Sequence, residues 1–187
     1  MGTKNASRPR LWPRLVATSG AVTAAAAAGG IATSSGLDTP WYDSLEKPSW
    51  QPPPQVFPIV WTSLYAIIAA GTATALAAQA REAAEAHFVA TDDDPDPTGA
   101  LARSRSLKRA LAVNLVLNAG WCWSFFVRRN LALAQWNALA LAASSADLAR
   151  RVGRERPGWG RAVGLYAAWC SFATVLTTAI KDRNPDT

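Results

Sequence analysis

The chain alternates between long apolar segments and short segments that hold its charges. Five segments of 17 to 33 residues contain no Asp, Glu, Lys or Arg: 15–37, 48–80, 110–127, 130–146 and 162–180. A helix needs roughly 17–25 predominantly apolar residues to cross a bilayer. The pattern therefore predicts an all-α integral membrane bundle of five transmembrane helices. The approximate spans are 15–36, 56–79, 108–127, 130–148 and 162–180, of which the first and fourth are the weakest.

Two alternatives to five spans remain open at this point. The first span is rich in Ala and Gly and follows basic residues, which is also typical of a signal peptide. A soluble helical bundle is the other alternative, although its helices would carry a charged face that these segments lack. With five spans the chain divides into a basic tail at 1–14, a membrane domain at 15–180 with an acidic insertion within 81–105, and a C-terminal tail at 181–187.

The distribution of Lys and Arg predicts the orientation. Fourteen of the 19 basic residues lie in the tail and connectors on the N-terminal side of the predicted bundle, and five lie on the opposite side. The positive-inside rule then places the N-terminus in the cytoplasm, and we expect the membrane to be a bacterial cytoplasmic membrane. Because topology accounts for the net charge of +6, and no stripe of alternating basic and aromatic residues occurs, no nucleic-acid partner is expected.

The stretch from Trp41 to Tyr65 has an unusual composition for a connector and the start of a helix. It holds three of the nine tryptophans, two of the three tyrosines and five of the twelve prolines. Prolines 52–54 favour a stiff, extended conformation. Tryptophan and tyrosine also gather at membrane interfaces without any ligand, so an aromatic belt is the simplest interpretation of this stretch taken by itself.

Polar and aromatic side chains recur at helical spacing in three of the spans. The residues that share one face in each helix are Phe57, Trp61 and Tyr65; Asn114, Asn118, Trp121 and Phe125; and Tyr166, Trp169, Ala173 and Thr177. Amides inside a membrane face either a partner helix, as hydrogen-bonding glue, or a cavity. Both roles remain open for the two asparagines. A cavity lined in this way suits a flat, apolar ligand with a few polar edges.

The same inventory argues against several kinds of chemistry. The spans contain no Ser/His/Asp constellation, no paired carboxylates and no phosphate loop, so no catalytic residues are assigned. His87, the only histidine, has no neighbouring ligand, and the two cysteines provide no metal or disulfide framework. The aspartates near 91–99 lack the glycine and closing glutamate of a calcium loop, so no metal site and no required cofactor are expected.

One motif in the Trp41–Tyr65 stretch is specific. The pattern Trp41-Tyr42, Leu45, Lys47-Pro48, Trp50, Pro52-Pro53, Phe57, Val60-Trp61-Thr62 and Leu64-Tyr65 resembles the signature of the translocator protein family, also called tryptophan-rich sensory proteins or peripheral benzodiazepine receptors. The similarity continues through Asn118, Trp121, Phe125-Phe126, Tyr166, Trp169, Phe172-Ala173-Thr174 and Leu176, and covers about 40 to 180.

The resemblance implies five transmembrane helices, a homodimer in the lipid bilayer and a ligand cavity beneath the first loop. It also implies tetrapyrroles, such as porphyrin or haem-type molecules, and benzodiazepine-receptor-type compounds as ligands, with a role in transport, sensing or regulation. The implied lid runs from Trp41 to Pro54 and the wall from Phe57 to Tyr65. The complete set of candidate ligand-binding residues is Trp41, Tyr42, Trp61, Tyr65, Asn118, Trp121, Phe125, Tyr166, Trp169 and Ala173.

Two positions depart from the family pattern. Leu165 stands where the family often has Pro, and Thr177 where it often has Asn, which puts any hydrogen bond of that Asn in question.

Two other functions stay open. One alternative function is light- and oxygen-dependent degradation of porphyrin by an enzyme that uses the cavity tryptophans. The other is a structural or regulatory membrane protein with a vestigial cavity. The weak cholesterol pattern is not met after Tyr166.

Overall fold

The computed structural model describes residues 11–87, 96 and 98–185, and within them every regular element is a helix. Five helices are long and one is short. In chain order they are α1 (Leu11–Leu37), α2 (Pro40–Ser44), α3 (Val56–Ala86), α4 (Ala100–Cys122), which continues as a π-helical turn (Trp123–Val127), α5 (Leu131–Glu155) and α6 (Pro157–Arg183). The all-helical prediction is confirmed.

Four of the described helices are long and apolar enough to cross a membrane: α1, α3, α4 with its π-helical turn, and α6. The fifth long helix, α5, occupies the fourth predicted span but falls outside this group. It is amphipathic, because its buried positions recur at steps of three and four residues while polar residues such as Gln135, Asn137 and Asp147 lie between them. The count of five spans is therefore approximate.

All five long helices extend beyond the apolar segments at the end of the bundle where α1 begins. A charge-free segment marks only the part of a helix in hydrocarbon, whereas the backbone hydrogen bonds continue into the polar layer. The predicted insertion at 81–105 is accordingly helical on both sides, since α3 ends at Ala86 and α4 begins at Ala100. Residues 1–10 of the basic tail and Asp92–Asp94 lie outside the described residues.

Asp96 links the acidic connector to α4. Its carboxylate accepts hydrogen bonds from the backbone N–H groups of Leu101 (3.2 Å) and Ala102 (3.1 Å). These donors have no partner inside the helix, and a negative charge is favourable at a helix N-terminus. Gly99 precedes the helix with φ of +66°, a conformation that glycine adopts without strain.

The two ends of the bundle differ in character. We call the end with the start of α1, α4 and α6 the basic end, and the opposite end, which carries α2, the lid end. The first span belongs to the bundle, because α1 packs against α3 and α4 with Thr18, Val22 and Ala32 buried. The main apolar core joins the long helices, and a second core at the lid end contains Leu45, with Phe125, Phe126, Leu131, Ala134, Leu176 and Ile180.

Candidate functional site

The π-helical turn at the end of α4 brings three consecutive side chains into the protein interior. Ser124, Phe125 and Phe126 are all buried, and the two rings lie 4.9 Å apart between centroids. In a regular α-helix, three consecutive residues are spread over more than half of the circumference. The wider turn therefore supplies two aromatic rings to the lid end, and π-turns of this kind are frequent at functional sites.

A lid-end aromatic cluster forms around these rings. Trp41 and Tyr42 of α2 contact Phe125 with centroid distances of 5.8 Å and 6.5 Å, both edge to face. Trp121 contacts Phe125 at 5.5 Å and Phe126 at 6.1 Å. The structure therefore brings four predicted site residues together, with Phe126 as a fifth ring.

A mid-bundle aromatic cluster joins α3 to α6. Trp61 contacts Tyr65 (5.7 Å), Tyr166 (6.2 Å) and Trp169 (6.4 Å) between ring centroids. Trp169 in turn stacks on Phe172 at 5.1 Å and meets Phe57 at 6.0 Å. Four more predicted site residues thus form one continuous group of rings.

A chain of hydrogen bonds runs through the bundle beside this cluster. Tyr65 Oη donates to Asn118 Oδ1 (2.8 Å), Asn118 Nδ2 donates to Tyr166 Oη (3.4 Å), and Tyr166 Oη donates to Asn114 Oδ1 (2.9 Å). Asn114 Nδ2 then donates to Ser145 Oγ at 3.0 Å. The two asparagines therefore form hydrogen bonds that link α3, α4, α5 and α6.

α6 connects the two aromatic clusters. Trp169 belongs to the mid-bundle cluster, and Thr177, two turns later, accepts a hydrogen bond from Trp121 Nε1 of the lid-end cluster at 3.3 Å. Ala173 lies one turn from each and is half-buried. Thr177 thus has a polar role at the position where the family often has Asn, while Leu165 is 62% exposed on the outside of the helix.

Trp169 carries an unused donor. Its Nε1 is buried and forms no hydrogen bond with any of the described residues. Most buried polar atoms in native proteins have a partner, so an orphaned indole N–H needs an explanation. The mid-bundle cluster therefore presents aromatic faces together with one buried donor, a combination that suits a flat ligand with a polar edge.

The lid is attached to the bundle at several points. Lys47 lies 4.2 Å from the centre of the Tyr42 ring and donates to the Tyr42 carbonyl, and Arg129 lies 5.6 Å from the Trp41 ring centre. Asn184, just after α6, accepts from Glu46 N and donates to Glu46 O, both at 3.0 Å. Burial raises the pKa of the Tyr42 phenol above 10.0, so the phenol is neutral at physiological pH.

We expect Asn184→Ala to loosen the lid. Loss of two hydrogen bonds of about 0.5–1.5 kcal/mol each favours local opening, so amide exchange in the segment 41–47 accelerates about tenfold. Hydrogen–deuterium exchange with mass spectrometry measures this. Arg183→Ala is the matched control, because the Arg183 side chain is exposed and donates to Ala179 O of its own helix. We call the two hydrogen bonds between Asn184 and Glu46 the clasp. Equal amide exchange rates in both variants and in the unaltered protein would show that the clasp does not hold the lid closed.

The sequence did not reveal every part of this arrangement. The sequence pattern gave no sign of Asn184, Arg129 or the π-helical turn as parts of the site, since each depends on which segments meet at the lid end.

Trp50, the tryptophan whose position fits an aromatic belt best, is 46% exposed and reaches the mid-bundle cluster through Phe172, 5.9 Å away. A cavity of about 500 Å³ lies at the basic end, away from the predicted position beneath the first loop. None of the ten candidate site residues lines it.

Comparison with known proteins supports the membrane assignment. The sequence profile of the TspO/MBR family matches residues 17–183. The chain is 26% identical over 148 residues to the uncharacterized membrane protein YtaB of Bacillus subtilis, a match that covers 79% of this chain and 83% of that protein. It is 57% identical over 42 residues to the tryptophan-rich sensory protein of Cereibacter sphaeroides, covering 21% of this chain and 27% of that protein. Protein CrtK of Rhodobacter capsulatus is 52% identical over 33 residues, covering 18% and 21%.

Proposed function

Because the chain belongs to the TspO/MBR family, we propose that this integral membrane protein is a receptor or carrier that binds tetrapyrroles and benzodiazepine-receptor-type ligands between its aromatic clusters. Its role would be sensory, regulatory or in transport. The proposal includes a homodimer, a bacterial cytoplasmic membrane and an N-terminus in the cytoplasm.

The buried and unpartnered N–H of Trp169 carries the proposal. It lies among the rings of Phe57, Trp61 and Phe172, which provide stacking surfaces but no acceptor. A porphyrin-type ligand provides a large aromatic plane for stacking and polar groups at its edge that accept a hydrogen bond. Ala173, with its small side chain, lies on α6 one turn after Trp169 and one turn before Thr177.

Ligand entry requires the lid to move. The rings of Trp41 and Tyr42 rest on Phe125, and those of Trp61 and Trp169 touch each other, so a flat ligand must part them. The lid attachments at Lys47, Arg129 and Asn184 are noncovalent and lie at the protein surface. Opening breaks these interactions and also exposes Leu45 of the lid-end core, so a ligand that binds the open state must shift the population toward it.

The double variant Trp61→Ala/Trp169→Ala tests the site. We expect the affinity for protoporphyrin to fall by at least about 100-fold, because two stacking surfaces and the donor are removed, each ring contributing on the order of 1–2 kcal/mol. Titration of the purified protein, followed through quenching of tryptophan fluorescence, measures this. Trp169→Phe retains a ring and removes only the donor, so a loss of about 2- to 10-fold is expected.

Trp136→Ala provides the matched control, because this tryptophan is 68% exposed on α5. Unchanged affinity in the double variant would refute the assigned site, and failure of the unaltered protein to bind any tetrapyrrole or benzodiazepine-type compound would refute the function. Illumination of the complex with and without oxygen separates binding from photo-oxidative degradation. A receptor or carrier forms no product beyond that of porphyrin in detergent alone.

A further inference from the structure

The cavity at the basic end is a groove between α1, α3 and α4. Its volume is about 500 Å³, within the roughly 300–1,000 Å³ of pockets that hold small molecules. None of its lining residues belongs to either aromatic cluster or to the lid. Nothing in the proposed tetrapyrrole site accounts for it.

The lining of the groove changes from polar to apolar along the helices. Arg14 in the first turn of α1, and Ser104 and Lys108 in the first turns of α4, line one part. Ala21 and Leu115 line the part further along the same two helices, about 16 Å of helix axis separating Ser104 from Leu115. The groove is therefore amphipathic, with its polar part at the basic end and its apolar part toward the middle of the bundle.

The polar part is positively charged. Some of the basic residues at this end form ion pairs, such as Arg103 with Glu82 and Glu155, and Arg151 with Asp147. Lys108 is exposed, and no carboxylate of residues 11–87, 96 and 98–185 forms an ion pair with it. Among the residues that the structure describes, none that lines the groove is acidic. Its occupant should therefore combine a negative charge with an apolar chain.

We propose that the groove binds one anionic phospholipid. The headgroup phosphate lies between Arg14, Ser104 and Lys108, and an acyl chain lies along Ala21, Leu111 and Leu115. Basic pockets between transmembrane helices at the cytoplasmic surface are recognised sites for anionic headgroups, and the distribution of Lys and Arg predicts that the basic end faces the cytoplasm. The lipid bridges α1 and α4 where both helices begin.

Native mass spectrometry of the purified protein tests the proposal. The probe is an equimolar mixture of dioleoyl phosphatidylglycerol and dioleoyl phosphatidylcholine, added to the protein in a neutral detergent. We expect one phosphatidylglycerol to be retained in preference to phosphatidylcholine by about tenfold. Lys108→Ala should reduce its retention about fivefold, the effect of one basic residue next to an anionic lipid.

Two further variants distinguish a specific lipid-binding site from general electrostatic attraction of anionic lipids to the basic end. Arg109→Ala removes the same charge from the next residue, which is exposed and does not line the groove, so retention should be unchanged. Ala112→Leu fills the groove without changing charge, so retention should fall although the unfolding temperature is maintained. Protoporphyrin affinity should stay the same in all three variants, because the aromatic clusters lie elsewhere.

Several results would overturn the proposal. They are equal retention of the two lipids, equal losses in Lys108→Ala and Arg109→Ala, and full retention in Ala112→Leu. A protein dimer that retains no phosphatidylglycerol and dissociates in Ala112→Leu would place a second copy in the groove, which also excludes the lipid.

Discussion

Gly160→Ala should be the most destabilising conservative substitution in the α5–α6 pair. A Cβ atom at position 160 would lie 2.3 Å from Cα and 2.8 Å from N of Gly153, and 3.2 Å from the carbonyl oxygen of Ala149. These are backbone atoms, so no rotamer change relieves the clash and the helices must separate. Overpacking of this kind costs about 1–3 kcal/mol or more, which exceeds the gain of about 1 kcal/mol in helix propensity.

The expected result is a fall in the unfolding temperature of about 5 °C or more in detergent, followed by intrinsic tryptophan fluorescence. Gly164→Ala is the matched control, because a Cβ at Gly164, one turn further along α6, meets no atom within 4 Å. That variant should be as stable as the unaltered protein or slightly more stable. Equal unfolding temperatures for the two variants would show that α5 and α6 do not approach this closely.

Asn114→Leu should produce the second large effect. The Asn114 side chain is completely buried, accepts from Tyr166 Oη and donates to Ser145 Oγ, so it connects α4 to both α5 and α6. Leucine has a similar volume but no polar atoms. Tyr166 Oη therefore loses its acceptor, and Ser145 Oγ loses a donor. A buried group left unsatisfied costs about 1–3 kcal/mol, and we expect a loss of about 2 kcal/mol in the free energy of unfolding.

A double-mutant cycle with Tyr166→Phe identifies the coupling. Each single variant removes the same hydrogen bond, so the loss in the double variant should be smaller than the sum of the two. Ser171→Ala is the control, because this exposed hydroxyl donates only to Ala167 O of its own helix and its loss should have little effect. Strict additivity would mean that Asn114 and Tyr166 stabilise the bundle independently.

The family motif located most of the aromatic residues, but it did not show how they divide. Trp41, Tyr42, Trp121 and Phe125 meet at the lid end, whereas Trp61, Tyr65, Tyr166 and Trp169 meet in mid-bundle. Periodicity places residues on a face of one helix, and it contains no information on which height of a neighbouring helix that face meets. The roles of Asn114 and Asn118 remained open for the same reason.

Hydropathy by itself determined the helical membrane fold, because a bilayer requires every spanning segment to be long, apolar and internally hydrogen-bonded. Helical spacing and the family motif located the aromatic residues along the chain. Only the tertiary structure decided the π-helical turn that buries Phe125 and Phe126, the clasp of Asn184 on Glu46, the unpartnered Trp169 N–H and the basic groove around Lys108. Each of these depends on the distance between atoms of segments far apart in sequence, which packing sets and local pattern does not encode.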